Sequence, residues 1–254
     1  MITIENTEQL TGVCITGDYD DFHNLVEAFH EITIDAYSEK HTEYCSSSIR
    51  VLGLCYDIRH AMQGDREIVR KENGMNNDLF VYHKQITSLE NVNYLCNYLY
   101  PEMFFVMMAL NDLIGLRAGD MSKDRYQKFH DKKVVWDNTI TTLRFFQAQF
   151  AQCLEKTLSK ASFSRMLGYL NSDPSDTSLM VGQFVDFLNI EYSKLTREQR
   201  LKKLNSYAKR ISEYMNDQDH RELRNAVYDA AKEHNMPEDN VRFAGMEYPE
   251  DIEW

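Results

Sequence analysis

The stretch from Val51 to Glu67 gathers more site chemistry than any other part of this chain. Tyr56, Asp57, Arg59, His60, Asp65, Arg66 and Glu67 crowd together there. Asp57 and His60 stand at i, i+3, and Tyr56 and His60 at i, i+4, so on a helix each pair touches. A carboxylate that orients an imidazole is the base half of a catalytic device. An arginine beside it holds a phosphate or a carboxylate. The chemistry would then be work on a phosphorylated or nucleotide-like small molecule. His60 would be the general base and Asp57 its orienter, with Tyr56, Arg59, Arg66 and Glu67 around the ligand. A plainer role fits the same residues. Asp57, Arg59, Arg66 and Glu67 can form an ion-pair network that ties a helix end to a sheet, and such networks are often only structural. The plainer role carries the greater weight.

Other arrangements point less far. Carboxylate-x-x-His recurs at Glu27 and His30, Asp57 and His60, and Asp217 and His220. A di-iron bundle uses a glutamate in that spacing, on facing helices with further glutamates. With forty acids and eight histidines, matches arise by chance. His23, Glu27 and His30 share one helix face, but the H-E-x-x-H spacing of zinc proteases is absent. No metal site and no cofactor are expected. The nucleophile-elbow, Walker and dinucleotide fingerprints are missing as well. Ser46 to Ser48 read as a helix cap, and Cys55 as a small core residue.

The elements that must position these residues are legible from periodicity. Ile2 and Ile4, then Val13 and Ile15, alternate with polar residues and predict two strands over residues 1–17. Asp18 caps a helix to about Tyr37, with Phe22, Leu25, Val26, Phe29 and Ile32 inward. A second helix over 47–62 buries Val51, Leu54, Cys55, Ile58 and Met62, and Gly64 stops it. Ile68 opens a strand that turns at Asn73-Gly74. Phe80 to Ile86 and Val92 to Tyr98 give further strands, making one mostly antiparallel sheet of four or five. From Pro101 the chain is helical: to about Leu116, then 129–158 with Trp136 and Ile140 on the inner face, 163–170, 179–193, 196–216 and 219–234. Thr196 and Gln199 stand at capping-box spacing. Residues 171–178, with Pro174, read as a loop. The tail, 236–254, mixes acids with Val241, Phe243, Met246, Tyr248, Ile252 and Trp254, and so is expected to dock.

Composition excludes some function classes. The net charge of −12 is the reverse of a nucleic-acid binder's basic footprint. It leaves room for an acidic mimic that blocks a nucleic-acid-binding protein. Five cysteines, an odd number with no C-x-x-C pair, read as a reducing, cytoplasmic setting. The N-terminus does not read as a signal peptide. The longest apolar run, Met103 to Leu110, is too short to span a bilayer.

Several segments together resemble a known family. They are Gly53-Leu-Cys-Tyr-Asp-Ile-Arg-His-Ala61 with Gly64-Asp-Arg-Glu67, Pro101-Glu102, Ala109-Leu-Asn-Asp112, Ala161-Ser-Phe-Ser-Arg-Met166, and Glu247-Tyr-Pro-Glu-Asp-Ile-Glu-Trp254. They resemble a functionally uncharacterised family, a domain of unknown function, of Gram-positive bacterial proteins. The resemblance implies a bacterial, intracellular protein and carries no activity, cofactor or catalytic residue.

The expected fold is α+β: a small, mostly antiparallel sheet with two helices over residues 1–100, then an all-helical bundle over 101–254 with a docked acidic tail. The two parts are expected to pack as one unit. The expected function is an interaction or regulatory role without catalysis, through a protein partner or self-association. The enzyme and the acidic mimic stand as alternatives.

Overall fold

The alternation of Ile2, Ile4, Val13 and Ile15 builds the first hairpin, and all four side chains are buried. In the computed structural model, which describes residues 1–35, 37–84, 87–124, 126–171, 176–243, 246–249 and 251–254, β1 (Thr3–Asn6) pairs antiparallel with β2 (Gly12–Gly17). Among the described residues the sheet has four strands in the order β1-β2-β4-β3, all antiparallel, where β3 is Glu67–Glu72 and β4 is Glu90–Leu99. Gly12 is fixed by close approach: a Cβ there would stand 2.0 Å from the Tyr98 carbonyl oxygen on β4.

Helix α1 (Tyr19–Ile32) opens with a full capping box between Asp18 and Asp21 and buries the expected face. It stops short of Tyr37. Thr33 is extended, and the Ile34 N–H leaves the helix to donate to Ser48 Oγ at 2.9 Å. Helix α2 (Cys45–Met62) buries Val51, Leu54, Cys55 and Ile58, while Met62 is only partly buried. Ser46 to Ser48 are not its cap; they lie inside its first turn. Ser47 and Ser48 are buried and serve neighbours instead, with Ser47 Oγ donating to the Thr177 carbonyl at 2.9 Å. Gly64, at φ +89°, ends the helix as expected. Its N–H donates to the Ala61 carbonyl and that of Asp65 to the His60 carbonyl, the paired bonds of a Schellman motif.

After β3 the chain does not turn straight back at Gly74. A short helix, α3 (Asn77–His83), intervenes where a strand was expected from Phe80. Leu79 to Tyr82 is an apolar run that suits either period, and Asn76, accepting the Leu79 N–H, decides for the helix. Gln85 and Ile86 lie outside the described residues, as does Pro174.

Helix α4 (Tyr100–Met121) is the centre of the molecule. Every residue from Tyr100 to Leu110 is buried. It runs past Gly115 and Gly119, because burial of Leu113, Ile114 and Ala118 outweighs the roughly 1 kcal/mol of a helical glycine. The expected long helix over 129–158 is divided into α5 (Lys132–Val135) and α6 (Asn138–Thr157). Two aspartates divide it: Asp131 accepts the Lys133 N–H and Asp137 the Ile140 N–H, each capping a new start. Trp136, expected on the buried face, sits in the break and is 84% exposed.

The remaining helices are α7 (Lys160–Leu170), α8 (Gly182–Ser193), α9 (Arg197–Ser212) and α10 (Gln218–His234). The Thr196–Gln199 capping box forms, but α9 ends at Ser212 and a 3-10 turn, Tyr214–Asn216, follows it. The fold is thus α+β, a small open antiparallel sheet interspersed with helices and then a run of longer helices. One apolar cluster joins Ile2 and Ile15 of the sheet to Phe104, Phe150 and Ile211 of the helices. Val241 of the tail is buried against Val227 and Ala231. Among the described residues no helix is long and apolar enough to cross a membrane.

Candidate functional site

The Schellman turn at Gly64 folds residues 65–67 back beside the last turn of α2, so the chemistry expected at 56–67 does assemble locally. It divides into two pairs. His60 Nδ1 meets Asp65 Oδ2 at 2.8 Å, and Arg66 Nη2 donates to Asp57 Oδ1 at 2.9 Å. His60 is thus oriented by Asp65, while Asp57 is taken by Arg66. The bond to Asp57 raises the Arg66 guanidinium above its usual range. Tyr56 lies against His60, ring centroids 4.2 Å apart, and Arg59 covers its ring at 5.5 Å. The Arg59 Nε is buried and has no hydrogen-bond partner among the described residues. Among the described residues Glu67 forms no ion pair.

Asp57 and Arg66 stand on the rim of a cleft of about 440 Å³. The sheet supplies Asn97, Tyr98 and Leu99, α4 and α8 supply Glu102 and Asn189, and the tail closes it with Tyr248, Ile252 and Trp254. His60 is not among the lining residues. At the base lies an ion cluster. Arg50 Nη2 donates to Glu102 Oε2 and, at 2.8 Å, to Asp186 Oδ1. Asn189 Nδ2 donates to Glu102 Oε2 at 2.7 Å, while its Oδ1 accepts the Glu102 N–H at 3.1 Å. Tyr248 OH donates to Asp186 Oδ1 at 3.1 Å, which ties the tail to the cluster. Burial opposes the Arg50 charge, but Glu102 and Asp186 outweigh it and hold the guanidinium ionised. Burial also pushes the Tyr98 and Tyr248 phenols up, so both stay neutral.

A family model described as a domain of unknown function (DUF6904) matches residues 2–254. The chain belongs to that family. No curated protein and no solved structure matches it.

In this DUF6904 member the cluster of Arg50, Glu102, Asp186 and Asn189 was not singled out from sequence as a site. Of the residues in and around it, only Glu102, within the Pro101-Glu102 segment, and Tyr248, as a tail anchor, were named there. The other expected chemistry is placed apart. Asp217 caps α10, and His220 is buried, its Nε2 accepting the Val181 N–H at 3.3 Å. Burial lowers the His220 pKa to about 4. Cys55 lies 3.7 Å from His30 Nε2, but burial raises its thiol to about 11, away from the reactive thiolate. Among the described residues no group of three or more His, Cys, Asp or Glu is placed to hold a metal ion.

Proposed function

We propose that the chain is an interaction protein without catalysis, and that its contact surface is the arm formed by β3, α3 and the first half of β4. The observation that carries this is the exposure along that arm. Val81 and Tyr82 of α3 are each 80% exposed, and Ile68, Leu89 and Val92, before and after α3 in the chain, are exposed as well. Single exposed apolar residues are ordinary, but several gathered on one element mark a contact surface. Strand β3 is also an edge, paired on one side by β4. The opposite edge of the sheet, β1, is packed by α6. An open edge accepts an added strand from a protein partner.

The cleft supports a catalytic role less well. That role asks for His60 and an arginine in one hollow, and Arg66 lines the cleft without His60. Asp57 and Arg66 also satisfy one another. The family resemblance and the free cysteines support a Gram-positive bacterial, cytoplasmic setting for this binding.

The test is affinity purification from the native host with mass spectrometry of what is retained. It is run on the parent chain, on Ile68→Lys/Val81→Asp and on His60→Ala. Proteins held by the parent and by His60→Ala, and lost from the arm variant at unchanged melting temperature, support the reading. Retention that depends on His60 and not on the arm would overturn it.

A further inference from the structure

We infer that the partner of the β3 edge is a second copy of this chain, its own β3 laid antiparallel about Val69. This rests on the arm being the contact surface and adds the occupant and the register. Glu67, Ile68, Arg70, Lys71 and Glu72 are all exposed, and Val69 is half-buried. Among the described residues Glu67, Lys71 and Glu72 form no salt bridge, so their charges are available. Charged side chains on an edge usually keep stray strands away. Here their order also selects one strand. When β3 meets its own copy with Val69 opposite Val69, Glu67 falls opposite Lys71 and Arg66 opposite Glu72, each twice by symmetry. Ile68 then lies along the Arg70 stem. Opposite residues of an antiparallel pair share a face, so each match falls within reach of its partner.

Neighbouring registers each carry a like-charge pair. A shift of one residue one way sets Glu67 against Glu72. A shift the other way sets Glu67 against Arg70 but also Arg66 against Lys71 and Asp65 against Glu72. Shifts of two set Arg70 against Arg70, or Arg66 against Arg70 beside a match of Asp65 with Lys71. Like charges directly opposite are unfavourable, so of these registers only the one centred on Val69 has opposite-charge matches with no like pair. Because Arg66 is already engaged by Asp57, the Glu67–Lys71 match carries most of the discrimination. Each copy has a net charge of −12. That repulsion is screened beyond about 8 Å at physiological ionic strength, whereas the paired side chains touch.

The test is sedimentation equilibrium of the full chain and two charge variants, Glu67→Lys and Lys71→Glu, with melting temperature as a check on folding. The parent is expected to dimerise. Each variant alone sets two like pairs in the seam and is expected to raise the dimer dissociation constant about tenfold or more. An equimolar mixture of the two restores both opposite-charge pairs, and its heterodimer is expected to match the parent's affinity. Val69→Cys should form an intermolecular disulfide under mild oxidation that the parent does not. A parent that stays monomeric at millimolar concentration, or a dimer indifferent to these changes, overturns the inference. If the arm still retains other host proteins in that event, the interaction reading stands and only the occupant is wrong. If nothing retained depends on the arm, both fall.

Discussion

Replacing Arg50 by methionine should unmask the ion cluster under the cleft. The Arg50 side chain is 17% exposed, Glu102 is 9% and Asp186 32%. Without the guanidinium, two carboxylates are left facing one another, and Glu102 keeps only the Asn189 amide as a side-chain donor. Removing one member of a buried ion pair costs about 3–5 kcal/mol, because the surviving charge has neither water nor partner. Native domains are stable by about 5–15 kcal/mol in all, so the variant should remain folded but be markedly weakened. For a chain of this size the loss corresponds to a melting point lower by about 6–20 °C. The double variant Arg50→Met/Glu102→Leu removes both deeply buried charges and leaves Asp186, which water reaches. It should recover at least about 2 kcal/mol of what the single variant loses, since an apolar replacement of a whole buried pair is often neutral. Urea unfolding at neutral pH of the parent, both single variants and the double variant gives the coupling directly. A single-variant loss under about 1 kcal/mol, or a double variant equal to the sum of the singles, would refute this account.

Three further outcomes are expected. His220 is neutral in the fold because burial holds its pKa near 4 against an ordinary 6.5. As pH falls from 6.5 toward 4 the unfolded chain takes up the proton first, so the fold loses roughly 2–3 kcal/mol by pH 4.5. His220→Phe should lack that slope, and pH-independent unfolding differences between the two chains would sink the assignment. Gly64→Ala forces a side chain into φ +89° and should cost about 1–2 kcal/mol. Gly119→Ala, in α4 where among the described residues nothing beyond the helix's own adjoining backbone and chain neighbours stands within 4 Å of the added carbon, should instead gain about 0.5–1 kcal/mol; equal effects at both sites in thermal melts would contradict the turn geometry. Tyr248→Phe removes a hydroxyl that donates to Asp186 and accepts from Asn189, worth about 1 kcal/mol. Amide exchange in the tail around Tyr248 should quicken about fivefold, with no change in β2.

What could be read in the sequence was what depends on neighbours in the chain. Asp18 with Asp21, Thr196 with Gln199, and Gly64 are local devices, and each appears where its spacing put it. The burial of Phe22, Leu25, Phe29, Leu54 and Ile58 follows from helical period alone. Where two local signals competed, the polar one prevailed. Asn76 turned an apolar run into α3, and Asp137 left Trp136 outside the core by starting a new helix. The candidate site was legible to the extent that residues 56–67 cluster, but not in its pairing. Asp57 and Asp65 are both in reach of His60, and the Schellman turn chose Asp65. The Arg50 cluster was invisible, because Glu102 and Asp186 come to Arg50 from far along the chain and no local pattern records such a meeting.

The loop between β1 and β2 has a consequence in time. Its carbonyls at Leu10 and Gln9 are taken by Tyr192 OH and Arg200 Nη1, and the Thr11 hydroxyl donates to the Glu253 carbonyl. These bonds span 182, 191 and 242 residues. At a synthesis rate of about 5–20 residues per second, Tyr192 emerges roughly 10–40 s after Leu10. For that interval the first hairpin has been made, and the loop's own bonds between Thr7 and Gly12 can form, but the Gln9 and Leu10 carbonyls have only water to bond. Contacts so distant in sequence also slow the closing step itself. The nascent sheet therefore waits with two open edges: β1, until α6 arrives to cover it, and β3, whose outer side no other strand of the same chain pairs among the described residues. A chaperone that binds extended strands would find its first site in this protein at Thr3–Asn6, and would be displaced by the chain's own later helices.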